Sequence, residues 1–310
     1  MDRRLLIGGL VASSAFGAAR AKQRHGLVIP GVETWSESLM LLYFDPEVRN
    51  GISVRISRYP ELNCTWVWCH VLLDGNVYAY TERRLPCSSI RNLGTAATGE
   101  YDSKGAGIEF TRLGPVDQMQ EIRLAVKVRS RQSSEARDGP GDTPISLRAI
   151  FRPEKLKSNP PPGRSEWTGH AEIDLVVGKR RVNLGGVAKA HEQTQTAPRF
   201  DLPFTYAMMW SPTASFIATA SSKRRFGNFE ADGRSHAVKD FRPSRPDRER
   251  QFTALLDDDQ ILQGLAKRVA AYDVPVFDKV WNGNIVKVEM GNRSMVGMLN
   301  DWRPKDQVFF

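Results

Sequence analysis

Long apolar runs are missing from this 310-residue chain. Beyond residue 21 no stretch approaches the roughly 20 apolar residues of a membrane helix, so no transmembrane segment is expected there. Cysteine is scarce: Cys64, Cys69 and Cys87 are the only three, and their spacing is neither that of a zinc knuckle nor the C-x-x-C of a catalytic dithiol. The G-x-S-x-G elbow, the P-loop and the dinucleotide fingerprint are absent, which leaves serine-nucleophile and nucleotide chemistry without an anchor. Strands and helices do not alternate regularly, and this excludes a doubly wound α/β fold.

What is present begins with a leader. Arg3 and Arg4 precede an apolar stretch from Leu5 to Ala19, and Ala19-Arg20-Ala21 is an A-x-A cleavage site. The pattern predicts a twin-arginine-like signal peptide over residues 1–21, a mature chain starting at Lys22, and a periplasmic address. Removing three arginines and one aspartate takes the net charge from +9 to +7. The remaining charges are scattered, and together with export they argue against nucleic acid as a partner. An oxidising compartment predicts one disulfide and one free thiol. Cys64 and Cys69, five apart on a strand, point to opposite faces, so Cys87 is expected to pair with one of them.

Strand signals dominate the mature chain. Ile52 to Ser57, Ile122 to Val128 and Ile285 to Val288 alternate strictly. Trp66 to Leu73, Asp74-Gly75-Asn76 and Val77 to Thr81 read as a hairpin, with similar turn signals at Asn50-Gly51 and Asn282-Gly283. Only Asp258 to Ala271 carries a helical period, and Gly264 inside it leaves a strand pair open. The proline-rich segment 153–164 divides the chain as a linker would. The expected architecture is all-β: two consecutive lipocalin-like antiparallel barrels, at 30–152 and 165–310.

Glu37-Ser38 through Asp45-Pro46, Gly51 to Arg55, Trp66-Val67-Trp68 and Leu73-Asp74-Gly75 resemble the opening of the carotenoid 1,2-hydratase-like and AttH-like group. Gly169-His170-Ala171-Glu172 to Val182-Asn183-Leu184-Gly185-Gly186 looks like that group's second-barrel opening. Ala188-Lys189-Ala190-His191-Glu192-Gln193 stands where the group commonly carries Arg-Asp-x-Ser-Trp-Gly. The resemblance implies a pair of lipocalin-like barrels similar to tocopherol cyclases and fungal Diels-Alderases. It also implies hydration, cyclisation or cycloaddition of apolar polyenes, with no nucleotide or metal.

Protonating an alkene needs a carboxylic acid kept neutral by burial, and π faces for the cation that follows. Glu37, beside Trp35 and in phase with Leu39, Leu41 and Tyr43, is the first candidate acid, with an ion pair to an arginine such as Arg55 as the alternative. Trp66, Trp68 and His70 share one strand face and form a candidate ligand wall together with Trp35 and Tyr43; plain core packing is the competing reading. His191 and Glu192 form a second candidate acid/base pair, or a polar loop. His170, Glu172 and Asp174 alternate onto what reads as a solvent face, and no metal or other cofactor is expected. The expected partner is an apolar small molecule, converted by a cofactor-free lyase or isomerase. A non-catalytic carrier with the same cavity and a carbohydrate-active jelly roll with an open aromatic groove are the rivals.

Overall fold

A computed structural model describes residues 34–87, 98–103, 106–132, 139–156, 163–196, 202–276 and 279–304. The leader at 1–21 and the proline cluster at 160–162 lie outside the described residues. Among the described residues no helix is long and apolar enough to cross a membrane.

The alternating segments form strands, and the strands form two sheets. The first contains β1 (Ser36–Phe44), β2 (Gly51–Tyr59), β3 (Cys64–Leu73), β4 (Asn76–Leu85) and β5 (Thr98–Ser103). It continues through β6 (Ile108–Leu113), β7 (Glu121–Gln132), β8 (Thr143–Leu156), β9 (Arg164–Val177) and β10 (Arg180–Gln195). Its order is β4-β3-β2-β1-β10-β9-β8-β7-β6-β5, and β4 also meets β7 through Tyr78 and Ala79. That second meeting joins eight strands into a ring, with the β5–β6 hairpin borne on the edge of β7. The second sheet is a closed antiparallel barrel. It runs through β11 (Phe204–Trp210), β12 (Ala214–Ser221), β13 (Arg225–Ala231), β14 (Arg234–Pro243), β15 (Glu249–Leu256), β16 (Ile261–Val276), β17 (Lys279–Met290) and β18 (Arg293–Pro304).

The division between the two units falls later than the prolines imply. β8 and β9, on either side of the proline-rich segment, pair as neighbours in the first sheet, and the change of sheet lies between β10 and β11. The stretch read as a second-barrel opening, Gly169 to Gly186, is therefore part of β9 and β10 in the first unit. Pro153, the one described proline of that segment, lies within β8 where the register slips, so it marks a strand irregularity instead of a linker.

Two other readings change for physical reasons. Asn282-Gly283 lies inside β17, where Tyr272 of β16 is the cross-strand partner of Gly283 and a Cβ would sit 2.0 Å from the tyrosine ring. The glycine makes room for an aromatic side chain instead of a turn. Asp258 to Ala271 is a turn followed by β16, whose register slips between Arg268 and Ala270. The bulge flips the facing of successive residues: Ala266 lies inside the barrel, whereas Ala270, Tyr272 and Val274 face the first unit. A two-residue alternation broken by one extra residue imitates a helical period.

Each unit has its own interior. Leu39, Leu41, Val54, Ile56, Val67, Cys69 and Trp167 belong to the apolar filling of the first ring. Phe216, Phe229, Phe241 and Phe252 fill the barrel, with Phe216 stacked on Phe252 at 5.6 Å. A third core lies between the units, where Met40, Leu42, Phe44, Trp66 and Trp68 meet Trp210, Tyr272, Met298 and Trp302.

Candidate active site

Cross-strand partners share a face of a sheet, so the register sorts the candidate residues by side. Thr194, Glu37, Arg58 and Thr65 form one row inside the ring, and Ser165, Glu192, Leu39, Ile56 and Val67 form the next. The opposite face carries the row Glu166, His191, Met40, Arg55 and Trp68, followed by Thr168, Lys189, Leu42, Ser53 and His70. These two outer rows are turned toward the second barrel.

This sorting separates groups that the sequence reading brought together. Glu37 points inward as expected, but it lies in a closed ion pair with Arg58, both side chains wholly buried. Arg55, the suggested partner, is on the other face because it is out of phase with Val54 and Ile56. Trp66, Trp68 and His70 lie behind the sheet from Glu37 and pack between the units, so they line neither a cavity around Glu37 nor an open aromatic groove of the jelly-roll kind. Tyr43 shares the face of Glu37 but stands six residues along the strand, about 20 Å away. Its hydroxyl donates to the Gly185 carbonyl at 2.9 Å. Trp35 precedes β1, half-buried, its backbone N–H on the Glu61 carboxylate at 3.1 Å. His170 and Glu172 are exposed on the outer face of the first sheet and Asp174 half-exposed, with Arg152 on Glu172 and Arg181 on Asp174.

The cysteines are all free thiols in place of the expected disulfide. Cys69 is sealed in the first interior, while Cys64 faces the core between the units and turns its sulfur to the Arg83 carbonyl at 3.1 Å. Cys87 is half-buried beyond the end of β4. Burial raises both Cys64 and Cys69 to about 12, so neither supplies thiolate at neutral pH.

His191 and Glu192 point to opposite faces and are no acid/base pair. Glu192 is the more telling of the two. Its Oε2 lies 2.8 Å from Arg112 Nε, and its Oε1 accepts the Tyr101 hydroxyl proton. Both partners come from the β5–β6 hairpin, which β7 holds over this end of the ring. The Arg58 guanidinium lies over the Tyr101 ring at 5.1 Å, so the tyrosine joins the two buried ion pairs. Burial raises the proton affinity of Glu192 above the ordinary carboxyl value, outweighing the Tyr101 and Arg112 contacts that oppose it. Burial and the adjacent Glu192 charge push Tyr101 well above a normal phenol.

A pocket of about 290 Å³ opens onto this carboxyl, lined by Val116, Gly163, Arg164, Ser165, Glu192 and Thr194. Gly163 forms its rim: it adopts φ +71°, and a Cβ there would lie 2.1 Å from the Thr194 carbonyl. The bare backbone is what permits the 2.7 Å hydrogen bond from Thr194 N–H to the Gly163 carbonyl.

The outer face meets this pocket at Arg164. Its guanidinium contacts Glu166 and the Tyr206 hydroxyl of β11, and its Nη2 lies 3.2 Å from His191 Nδ1. Arg55 Nη1 stands 3.3 Å from the other ring nitrogen and bonds the Ser38 and Ser57 hydroxyls through Nη2 and Nε. The second barrel thereby touches the pocket wall through Tyr206. Sequence reasoning missed Arg58, Tyr101, Arg112, Arg164 and Tyr206. A signal existed for two of them: Arg58 is in phase with Ile52, Val54 and Ile56, and Arg112 with Ile108 and Phe110. An arginine in phase with inward apolar residues announces a buried carboxylate partner.

No protein-family model and no curated protein matches this chain in sequence. Solved structures do match in shape. CghA with Sch210972 aligns at TM-score 0.58 and 10% identity over 89% of this chain and 93% of that one. A protein of Nitrosomonas europaea assigned to AttH aligns at 0.54 and 12% identity, covering 96% and 99% of the two chains. Kievitone hydratase of Nectria haematococca aligns at 0.50 and 8% identity, covering 92% and 95%. Identities this low speak to the fold, and the fold of this chain is the AttH-like, lipocalin-like one that these proteins share.

Proposed function

We propose that the protein is an exported, cofactor-free proton-transfer enzyme in which Glu192 protonates an unsaturated small molecule, a polyene, terpenoid or aromatic compound, during hydration, cyclisation or isomerisation. One observation carries this reading: a buried carboxyl with raised proton affinity forms part of the wall of a pocket. In the hydration case the proton passes from Glu192 to an alkene carbon, water adds to the resulting cation, and the proton lost by that water returns to Glu192. Tyr101 and Arg112 hold the carboxylate between those steps. A hydratase among the fold's known members fits the same reaction class. Glu37, closed off with Arg58, has a structural role here. Export rests on the leader, and an exported species whose intact mass starts at Lys22 would support it; one retaining residues 1–21 would reject it.

The test starts from small molecules that co-purify with the exported protein, identified by mass spectrometry and supplied as substrates. Glu192→Gln should keep the circular dichroism spectrum and lower turnover by roughly 10²-fold or more. Full turnover by that variant rejects the reading. A compound that binds and is released unchanged by the wild type favours a carrier.

A further inference from the structure

Two donors reach Glu192 from one face of the β5–β6 hairpin. Gly99 is the cross-strand partner of Arg112 and Tyr101 that of Phe110, so Arg112 and Tyr101 project on the same side, two residues apart along the ladder. A Cβ at Gly99 would lie 3.0 Å from Arg112 Nη2, and the bare backbone leaves the guanidinium its room. Arg112 meets Oε2, with Nε at 2.8 Å, and Tyr101 meets Oε1. The two oxygens are thereby unequal. A guanidinium is always charged and only donates, so a proton on Oε2 would sit against a positive charge. A phenol both donates and accepts, so Oε1 has a partner whether or not it carries a proton. Tyr101 is wholly buried with its ring against the Arg58 guanidinium, which shields the hydroxyl from bulk water.

We infer that Tyr101 is the positioning residue for proton transfer at Glu192: the transferable proton rides on Oε1, and the Tyr101 hydroxyl turns from accepting a hydrogen bond to donating one as that proton leaves. The inference rests on Glu192 being the proton donor and deepens that reading to the atom. In the resting acid the Glu192 O–H donates to the Tyr101 oxygen. Once the proton has passed to the substrate, the phenol turns and donates to the carboxylate left behind, a charge-assisted bond stronger than the one it replaces. The phenol keeps its own proton throughout, because burial and the adjacent Glu192 charge hold it well above a normal phenol. Among the described residues, the other charged groups facing this carboxyl are Arg112 of β6 and, one row along the sheet, the paired Glu37 of β1 and Arg58 of β2; Leu39 of β1 and Ser165 of β9 flank it.

Tyr101→Phe tests this, because it keeps the ring against Arg58 and removes only the hydroxyl. Carbon-13 titration of the Glu192 carboxyl, whose resonance Glu192→Gln identifies, should give a midpoint about one pH unit higher in Tyr101→Phe than in wild type, since the lost bond stabilises the charged form. A general acid works protonated, so the fall of turnover with rising pH should move up by the same interval. In wild-type protein labelled at tyrosine Cζ, Tyr101 should shift with the same midpoint as Glu192, and that step should vanish in Glu192→Gln; this measurement serves if Tyr101→Phe does not fold. An unmoved Glu192 midpoint in folded Tyr101→Phe overturns the inference, as does a Tyr101 Cζ resonance that ignores the Glu192 titration. A purely structural tyrosine would change the melting temperature alone. Turnover of Glu192→Gln separates the two proposals. If turnover is kept while Tyr101→Phe moves the midpoint, the proton-transfer reading fails and the Tyr101 coupling stands; if turnover is lost while the midpoint stays, the reverse holds.

Discussion

Both units of this molecule contain a buried acid held by an arginine and a hydroxyl. In the first, Glu192 meets Arg112 and Tyr101; in the second, Asp301 meets Arg250 through both oxygens, at 3.1 and 2.8 Å, and accepts the Thr205 hydroxyl at 2.6 Å. Burial raises the proton affinity of both carboxyls above the ordinary range. The difference is access. Arg250 also binds the Ser244 carbonyl at 2.7 Å and so closes its pair beneath the β14–β15 loop, whereas Glu192 opens onto the pocket. A perturbed carboxyl alone therefore does not mark a reacting group; the space in front of it does. The two pairs are a built-in control for each other.

The largest expected effect separates them by stability. Asp301→Asn strands a wholly enclosed guanidinium and should cost about 3–5 kcal/mol in urea denaturation. Glu192→Gln changes a residue that lines the pocket, through which water can enter beside the replaced side chain, and should cost only about 1–3 kcal/mol. Equal costs would mean that the pocket does not relieve the first pair, and the distinction drawn here would collapse.

A smaller effect probes the seam between the units. His70 is buried there with its ring 3.8 Å from that of Tyr272, and neither ring nitrogen has a hydrogen-bond partner. Burial lowers it from 6.5 to about 3, so the folded protein excludes a proton that the unfolded chain accepts. The sign follows: the stability contributed by neutral His70 is complete above about pH 6.5 and is lost as the pH falls toward 3. His70→Phe keeps the stacked shape and removes two unsatisfied nitrogens, so it should stabilise by about 1–2 kcal/mol at pH 7 and flatten the acid side of the stability profile. Melting temperatures from pH 4 to 8 check both, and an unchanged acid limb would place the acid sensitivity elsewhere.

Much of the fold was legible because alternation has one physical cause, a strand with a face turned away from water. Ile52 to Ser57, Ile122 to Val128 and Ile285 to Val288 all lie in strands, β2, β7 and β17, and the Asp74-Gly75 hairpin lies where its turn residues place it. What alternation cannot say is which of two buried faces is the interior. Every residue of β1, β2 and β3 is buried, since one side fills the ring and the other meets the barrel. The tryptophans and Glu37 were therefore assigned to one space although they occupy two. The site was less legible still. Glu192 was a candidate, but its partners Tyr101 and Arg112 arrive from a distant hairpin, Tyr101 being 91 residues away, and no local pattern encodes a contact of that range.

The most direct test is a side-chain carboxyl titration by carbon-13 NMR on glutamate-labelled protein, wild type against Glu192→Gln. The account predicts a glutamate resonance that titrates above the ordinary value of 4.5 and disappears in Glu192→Gln. If every glutamate titrates at or below that value, or if the high-titrating resonance persists in Glu192→Gln, Glu192 is not the proton-carrying group and the central claim is wrong.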